Sequence, residues 1–364
     1  MIRVPVTTTS RSYEVLIGSD SLARSGESIG SLLPSRNAFV VTVPPVKKRW
    51  SKVLVRSLRD AGIETTLLEM PNGERAKRLL TLEKLAEQLV KAGADRSATL
   101  IAFGGGVVGD VTGFLASIYM RGVDVIQIPT TVLAQVDAAI GGKTAVNLLA
   151  GKNLLGTFHQ PRAVLVDPSV LKTLSAREYR AGLYESLKCG IIGDEGLFRL
   201  FEERHKEILA REPAVVEKVI ADSVRLKASV VSADEREGGL RQVLNLGHTV
   251  GHALEAETRY KLLLHGEAVG WGLVAATYIA LSTGRLDSVT AGRIMNAVLG
   301  LGELPRMNVK TANILKRLKS DKKTRQGVVH FILPREIGKV EITSDVPETA
   351  VRAAVEEMRK LARN

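Results

Sequence analysis

The sequence predicts an α/β domain with a mostly parallel sheet, followed by a mainly helical domain. In the first half, short apolar runs alternate with amphipathic stretches, which is the pattern of a doubly wound sheet. From about residue 168 onward, longer apolar periodicities replace this alternation. The chain has 364 residues, roughly twice the length of a usual domain. We therefore predict two domains, at residues 1–167 and 168–364.

The predicted strands are short runs rich in β-branched and aliphatic residues, at 39–43, 64–68, 99–103, 123–128 and 163–166. Helical spacing lies between them and is clearest at 81–92. In the second half it covers 175–190, 214–232, 247–258 and 266–282. Near the carboxyl end, GVVHFILPREIGKVEIT predicts a hairpin, and a final helix is expected to begin near Pro347.

The composition predicts a folded globular protein, because 45% of the residues are hydrophobic and 25% are charged. Cys189 is the only cysteine, which excludes an internal disulfide and a four-cysteine zinc site. The amino-terminal residues alternate apolar and polar side chains, unlike a signal peptide, and no later run reaches membrane-spanning length. We expect a cytoplasmic protein that does not bind membranes.

The net charge of +12 is compatible with nucleic acid, a membrane surface or a small anionic substrate. Basic residues are scattered, with the densest groups at 47–49 and 319–325, and only 4% of the residues are aromatic. So few aromatic side chains cannot supply a platform for base stacking. An anionic small molecule is therefore the favoured partner.

A glycine-rich turn follows the predicted strand at 99–103, where Gly104, Gly106 and Gly109 match G-x-G-x-x-G. Glycines at such a turn let backbone amides approach a pyrophosphate, although a turn that serves only packing would look the same. IPTTVLAQVDAAIGGKT at 128–144 and GKN at 151–153 are read as further loops after strands. Open α/β sheets bind ligands at the carboxyl ends of their strands.

Three of the six histidines, His248, His252 and His265, occur in LGHTVGHALEAETRYKLLLHGEAV. Clustered imidazoles suggest a divalent metal, whereas a single histidine is more often a structural residue. Spacing alone nominates His248 and His252, because positions i and i+4 share a helix face. A carboxylate is still needed to complete a catalytic site with an open position.

Ten motifs resemble the 3-dehydroquinate synthase family, in the order GGGVVGD, YMRG, IPTT, VDAAIGGKT, GKN, GLYESLKCG, DEREGGLR, LNLGHTVGHALE, HGEAV and DKK. They extend over nearly the whole chain. The resemblance implies an amino-terminal Rossmann-like NAD-binding domain, a helical carboxyl-terminal domain for zinc and substrate, and a homodimer. Co²⁺ is a second metal that it allows.

The activity implied by the resemblance is a phosphate-eliminating lyase reaction of the shikimate pathway, which leads to chorismate and the aromatic amino acids. It converts 3-deoxy-D-arabino-heptulosonate 7-phosphate to 3-dehydroquinate and phosphate. NAD oxidises the substrate transiently, phosphate is eliminated, the ketone is reduced again, and an intramolecular aldol reaction closes the ring. NAD is therefore not consumed.

The resemblance also implies site residues. The metal ligands are Glu185, His248 and His265, which places His252 beside the substrate instead of the metal. The cofactor-binding residues are Glu74, Lys77, Gly104, Gly105, Gly106, Asp110, Thr130, Thr131, Asp137, Lys143, Lys152, Thr173 and Glu178. The substrate-binding residues are Arg121, Lys143, Lys152, Asn153, Lys188, Lys227, Arg241, Asn245, His252 and Lys322. The catalytic residues are His252, Lys143, Lys188, Asp137 and Glu237, and Arg121 is expected to reach the site of a neighbouring subunit.

Two departures from the family pattern affect these expectations. Val43 stands where relatives carry a polar residue for the adenosine ribose, which puts ribose recognition there in doubt. In GLYESLKCG, Tyr184, Ser186 and Cys189 differ from the residues expected, but the metal ligand and the lysine remain. A nucleophilic role for Cys189 is disfavoured.

Three other functions remain as alternatives. Related cyclases that form valiolone or inosose rings use substrates without a carboxylate, whereas Lys227 and Arg241 favour a carboxylate substrate. A metal-dependent polyol dehydrogenase would release NADH. A basic nucleic-acid-binding module would show affinity that falls steeply with salt and would need no zinc.

Overall fold

The computed structural model describes residues 1–320 and 329–362. Contacts within the chain divide it into two compact units, which we call unit 1 (Met1–Leu174 with Val216–Arg236) and unit 2 (Ser175–Val215 with Glu237–Asn364). The boundary expected from the sequence lies at 167/168, seven residues before the end of the first segment of unit 1. No feature of the sequence pattern predicted that 216–236 would belong to unit 1.

The strands are β1 (Ile2–Thr7), β2 (Ser12–Ile17), β3 (Asn37–Thr42), β4 (Glu64–Glu69), β5 (Thr99–Gly104), β6 (Asp124–Pro129), β7 (Lys143–Leu148), β8 (Gly151–Phe158), β9 (Ala163–Val166), β10 (Phe331–Glu336) and β11 (Lys339–Thr343). The helices are α1 (Ser25–Ile29), α2 (Pro44–Asp60), α3 (Leu79–Lys91), α4 (Gly106–Ile118), α5 (Ala176–Gly193), α6 (Glu195–Glu203), α7 (His205–Leu209), α8 (Pro213–Ala233), α9 (His248–Glu257), α10 (His265–Ser282), α11 (Ser288–Gly300), α12 (Thr311–Ser320) and α13 (Glu348–Leu361). All five predicted strands and all the predicted helices are confirmed, with ends that move by a few residues.

Unit 1 is built on a seven-stranded sheet in the order β1-β2-β9-β6-β5-β3-β4. Only the β1–β2 pair is antiparallel, so the predicted mostly parallel sheet is confirmed. Every residue of β5 is buried. Leu100 and Ala102 pack into one apolar cluster, and Ile101 and Phe103 pack into another. Because alternate side chains of a strand point to opposite faces, this alternation shows that both faces of the sheet are covered.

The order of the strands reverses between β3 and β5, since β3 pairs with β4 on one side and with β5 on the other. Ligands of open α/β sheets bind at such a reversal, beyond the carboxyl ends of the strands. Gly104 ends β5, Gly105 caps α4, and Gly106 begins that helix. The glycine-rich turn therefore lies at the position where this topology binds dinucleotides.

The prediction of loops was wrong for the KT of GGKT and for GKN, whereas the two glycines of GGKT lie in a loop as predicted. Lys143 begins β7, and residues 151–153 begin β8, with which β7 forms an antiparallel two-stranded sheet. Between β6 and β7 the chain makes a short π-helical turn, Ala134–Ala138. Most residues of β8 are partly or fully exposed. The buried alternation that marks a strand was therefore missing from the sequence.

Unit 2 is mainly helical, as predicted, and α10 is its central helix. Fourteen of the 18 residues of α10 are buried, because α5, α9, α11 and α13 all pack against it. The predicted hairpin is present as β10 and β11, and the final helix begins at Glu348, directly after Pro347. Among the described residues, no helix is both long enough and apolar enough to cross a membrane.

Candidate active site

Glu185 lies in the middle of α5 and is only 1% exposed. Both of its carboxylate oxygens are buried without a well-formed hydrogen bond to any described residue. Lys188, one turn further along α5, forms an ion pair with this carboxylate and donates to the carbonyl of Leu244 at 2.6 Å. A buried carboxylate needs compensating charge or a metal, so Glu185 is suited to ligate a cation.

Two histidines direct a ring nitrogen toward Glu185. The Nε2 atoms of His248 and His265 lie 3.6 Å and 3.4 Å from its Oε1. Each histidine begins a helix, α9 and α10 respectively. One ligand atom from each of the three residues lies within 4.8 Å of the other two. Two imidazole nitrogens and one carboxylate oxygen form the donor set of a catalytic zinc site with an open position, so the residues present fit the metal that the resemblance implies.

The electrostatics of this group favour a cation. Burial raises the pKa of Glu185, but the charge of Lys188 and the nearby imidazole of His265 outweigh burial and lower the pKa to about 2. Burial lowers the pKa of His265, but Glu185 and Glu255 outweigh it and raise the pKa to about 10. Glu185 is therefore ionised at neutral pH, as a metal ligand must be.

His252 lies one turn after His248 on α9. Its ring centroid is 5.2 Å from that of His248 and 5.9 Å from that of His265. His252, Glu255 and His265 form a second group whose ligand atoms also lie within 4.8 Å of one another. His248 and His252 lie side by side, as their spacing predicted, but neither group of possible ligands among the described residues includes both, and only the group with His248 includes the buried Glu185. The assignment of His252 to the substrate stays a prediction.

An ion pair that the sequence analysis missed fixes the start of α10. Arg177 donates from Nε and a terminal nitrogen to the carboxylate of Glu267, at 2.6 Å and 2.8 Å, and to the carbonyl of Leu262 at 2.7 Å. Glu267 in turn accepts from the backbone N–H of Leu264 at 2.7 Å. These contacts order the backbone immediately before His265. The available sequence signal was the glutamate of HGEAV, which stands at the third position of the helix, where a capping box places its acidic residue.

The other residues predicted in unit 2 have defined positions. Arg241 is 2% exposed. Asn245 donates from Nδ2 to Glu237 at 2.8 Å, and Glu237 has a positive φ of 60°. Glu178, predicted to bind the cofactor, is exposed in the first turn of α5, where its carboxylate accepts from the hydroxyl of Ser175 at 2.9 Å. Ser175 is the N-cap of α5, and its Oγ also accepts from the backbone N–H of Glu178 at 3.2 Å.

The glycine turn in unit 1 is closely packed. A Cβ added to Gly104 would lie 2.5 Å from a methyl of Val108, and one added to Gly105 would lie 3.1 Å from the methyl of Thr131. The backbone N–H of Thr130 donates to the carbonyl of Gly104 at 2.9 Å. Packing alone therefore requires Gly104, while Gly105 and Gly106 bring the start of α4 beside the predicted threonines and fit a phosphate approach.

A polar cluster surrounds Lys77, which is 5% exposed and forms an ion pair with Asp110. Burial raises the pKa of Asp110, and Lys77 opposes that shift. Asn147, which the sequence analysis missed, donates from Nδ2 to Glu74 at 2.7 Å and accepts from the backbone N–H of Asn153 at 2.9 Å. Four predicted residues of unit 1, Glu74, Lys77, Asp110 and Asn153, therefore lie in one cluster with Asn147 of β7.

Lys227 of α8, 6% exposed, donates to the carbonyl of Asp137 at 2.6 Å and forms an ion pair with its carboxylate. Two predicted site residues therefore bind each other. Thr173 accepts from the indole of Trp50 at 3.1 Å. The remaining predicted residues of unit 1 are Lys143 and Arg121, which are exposed, and Lys152, which lies 3.9 Å from Glu74. Lys322 lies outside the described residues.

Val43 is 4% exposed and belongs to an apolar cluster of unit 1. It caps α2 at the end of β3, the strand beside the reversal in strand order. Its side chain cannot donate or accept a hydrogen bond. The structure therefore places no polar side chain at this position, as the departure from the family pattern implied.

Profiles of known families match most of the chain. The profile described as 3-dehydroquinate synthase N-terminal matches residues 67–181, and the one described as 3-dehydroquinate synthase C-terminal matches residues 182–324. A relative from Koribacter versatilis, named 3-dehydroquinate synthase, is 54% identical over 363 residues, which cover 100% of this chain and 99% of the relative.

Solved structures of related cyclases share the fold. A 2-epi-5-epi-valiolone synthase from Streptomyces hygroscopicus, solved with NAD⁺ and Zn²⁺ bound, has a TM-score of 0.88 and 30% identity, covering 96% of this chain and 97% of its own. A 2-deoxy-scyllo-inosose synthase, complexed with carbaglucose-6-phosphate, NAD⁺ and Co²⁺, has a TM-score of 0.84 and 25% identity, with 99% of both chains covered. The profile matches and the identity over the full length establish that this chain belongs to the 3-dehydroquinate synthase family.

Proposed function

We propose that this protein converts 3-deoxy-D-arabino-heptulosonate 7-phosphate to 3-dehydroquinate and phosphate, as an NAD- and metal-dependent lyase. The observation that carries the proposal is the group formed by Glu185, His248 and His265, in a chain that is 54% identical to a 3-dehydroquinate synthase over its full length. We place the reaction in the cytoplasm.

Bound NAD supplies reversible hydride transfer, and a divalent metal, Zn²⁺ or Co²⁺, supplies Lewis acidity. Glu185, His248 and His265 hold the metal through one carboxylate oxygen and two Nε2 atoms. The glycine turn after β5 and the threonines after β6 hold the dinucleotide, because they lie where the strand order reverses. Structures of two related cyclases contain NAD⁺ with Zn²⁺ or Co²⁺, which supports the proposed use of a dinucleotide and a divalent metal.

The cationic residues of the site bind the anionic groups of the substrate. Arg241 and Lys227 are 2% and 6% exposed, and buried cations of this kind are suited to a desolvated carboxylate. Lys143, Lys152 and Lys322 supply charge for the phosphate. An excess of twelve positive charges over the whole chain also raises the encounter rate with a substrate that carries both a carboxylate and a phosphate.

His252 is the residue best placed to move a proton. Its ring lies between 5 and 6 Å from the rings of both histidines of the metal group, measured between centroids. An imidazole can act both as a general base and as a general acid, so His252 can accept a substrate proton in one step and return it in another. Lys188, with its ammonium group between Glu185 and the carbonyl of Leu244, holds the carboxylate in place.

The active form is a symmetric homodimer in this proposal. An apolar groove of unit 1 is lined by Leu79, Leu80, Ile118 and Met120, which are 40–59% exposed. Arg121 follows directly, with a positive φ of 72°. Exposed apolar surface of this kind marks an interface, and a second copy seated there would carry Arg121 toward its partner's site.

The alternative function is that of a sister cyclase, whose substrate lacks the carboxylate. Identity of 30% and 25% to two such enzymes, against 54% to a 3-dehydroquinate synthase, favours the carboxylate substrate. The test is phosphate release from the heptulosonate phosphate and from a heptulose phosphate without the carboxylate. Faster turnover of the second compound by the parent protein contradicts the proposal.

Arg241→Met is the matching variant for this test. It should raise the barrier for the carboxylate substrate by roughly 2–5 kcal/mol, because a desolvated anion loses its partner. Arg199→Met is the control, since Arg199 is exposed on α6 and contacts only Glu195 at 3.1 Å among the contacts described for it. Equal effects of the two substitutions would remove Arg241 from the substrate site.

A further inference from the structure

Glu255 is a buried acidic residue beside the metal group to which neither the sequence analysis nor the proposed reaction gives a role. It lies seven residues after His248 on α9, and two helical turns return it to the same face. The residue is 3% exposed. Its Oε2 lies 3.3 Å from Nδ1 of His265. A buried carboxylate at this position therefore contacts a predicted metal ligand on the ring edge that faces away from Glu185.

The other nitrogen of each predicted histidine ligand has an acceptor. Nδ1 of His248 lies 3.2 Å from the carbonyl oxygen of Leu246, and Nδ1 of His265 faces Glu255. In a neutral imidazole, which is the form that binds a metal, a ring nitrogen that donates its hydrogen to an acceptor leaves the lone pair on the opposite nitrogen. In both residues the opposite nitrogen is Nε2, the atom closest to Glu185. The two acceptors thus orient both rings so that Nε2 faces Glu185.

The second group of possible ligands offers a competing arrangement. In it His252, Glu255 and His265 would bind the metal, and Glu255 would be a ligand. Two contacts favour the first group. The Nε2 atoms of His248 and His265 converge on Oε1 of Glu185, at 3.6 Å and 3.4 Å, whereas Glu255 faces the opposite nitrogen of His265, Nδ1, at 3.3 Å. Binding through Glu255 would also leave the Glu185 carboxylate buried and without the metal.

We propose that Glu255 is a positioning residue that accepts the Nδ1–H of His265 and thereby holds Nε2 of His265 as the metal-binding nitrogen. This inference rests on the proposed metal site and adds a residue to it. Carboxylates in this position fix the orientation of the ring and increase the basicity of the ligand, and their loss typically weakens metal binding about 10- to 100-fold.

The test measures zinc affinity by competition with a chromophoric chelator. Glu255→Gln, which keeps an acceptor but removes the charge, and Glu255→Ala should weaken zinc binding by about 10-fold and up to about 100-fold respectively. Glu257→Gln is the matched control. Glu257 lies on the same helix but accepts from Asn313 and Arg317 at 2.6 Å and 2.7 Å and does not contact a histidine. Zinc affinity unchanged in both Glu255 variants overturns the inference.

A measurement on the parent enzyme guards against variants that fail to fold. Long-range ¹H–¹⁵N spectra of zinc-loaded protein labelled in histidine should show a hydrogen on Nδ1 of His265 and zinc coordination at Nε2. Coordination at Nδ1 overturns the inference, because that nitrogen could not then donate to Glu255. Loss of stoichiometric zinc from Glu255→Ala but not from Glu185→Ala also overturns it, because Glu255 would then be a ligand. Zinc loss from Glu185→Ala tests the proposed metal site separately, so the two failures are distinguishable.

Discussion

Replacing Glu185 by glutamine is the most informative single change, because it alters an ion pair and a metal ligand at once. Glu185 and Lys188 are 1% and 2% exposed and form an ion pair. Removing one partner of a buried pair costs about 3–5 kcal/mol, since the remaining charge loses its compensation. Metal-free Glu185→Gln should therefore unfold at a lower temperature than the metal-free parent.

Added zinc should then increase the difference in melting temperature between the parent and Glu185→Gln. A ligand at 100 times its dissociation constant stabilises the folded state by about 2.7 kcal/mol. For a folding unit of 150–250 residues, each 1 kcal/mol shifts the melting temperature by about 2–4 °C. The parent should therefore gain roughly 5–11 °C when zinc is added, whereas Glu185→Gln should gain almost nothing at the same free zinc concentration.

Differential scanning calorimetry of metal-free protein, with and without zinc, measures both effects. Glu195→Gln is the control, because Glu195 is an exposed glutamate whose described ion pair is with Arg199 on the same helix. It should melt and respond to zinc as the parent does. An equal zinc-dependent gain in Glu185→Gln and in the parent would refute the reasoning, since the metal would then bind without this carboxylate.

Three further predictions concern His252, His265 and Arg121. His252→Ala should keep stoichiometric zinc while phosphate release slows about 10²- to 10⁴-fold, and loss of zinc on metal analysis would instead make His252 a ligand. Zinc affinity, measured by chelator competition between pH 6 and 8, should fall as the pH falls, because below its pKa of about 10 metal-free His265 carries a proton that zinc must displace. A flat profile would contradict that protonation state. Mixing Arg121→Ala and His252→Ala homodimers should restore roughly a quarter of the parental sites, because about half the dimers become mixed and each contains one intact site. Activity that stays at background after native mass spectrometry has detected mixed dimers would show that Arg121 does not act across subunits.

The parallel sheet could be predicted from the sequence because its strands are buried on both faces. A run such as 99–103 is apolar throughout, and the glycines that follow it mark its end. The hairpin of β7 and β8 could not be predicted in the same way, since β8 reads GKNLLGTF and most of it is exposed or partly exposed. Without a buried face, neither alternation nor a continuous apolar run is required.

The periodicity of apolar residues also could not predict that 216–236 associates with unit 1. Apolar spacing predicted the helix correctly, but it does not say which surface the apolar face covers. Lys227 lies on this helix and pairs with Asp137, 90 residues earlier. Only the three-dimensional packing brings those two side chains into contact.

The residues of the site likewise include some that the sequence predicted and some that it could not. The resemblance supplied Glu185, His248 and His265 because each lies in a motif with a recognisable order. The groups that orient them were missed for physical reasons. The carbonyl of Leu246 is backbone and has no residue signature, and Glu255 is typical of a solvated helix residue until its burial is known. Its spacing of seven residues from His248 and its place at the end of the motif LNLGHTVGHALE were the signals available.

In the proposed reaction, NAD is reduced and then oxidised again within each turnover. The most direct measurement follows phosphate release from 3-deoxy-D-arabino-heptulosonate 7-phosphate, with zinc-loaded protein and NAD at a concentration far below that of the substrate, while absorbance of NADH is recorded. We expect many equivalents of phosphate per NAD, no net growth of NADH, and 3-dehydroquinate as the product. Phosphate release that is independent of NAD, or NADH that accumulates in proportion to the substrate consumed, would contradict the claim.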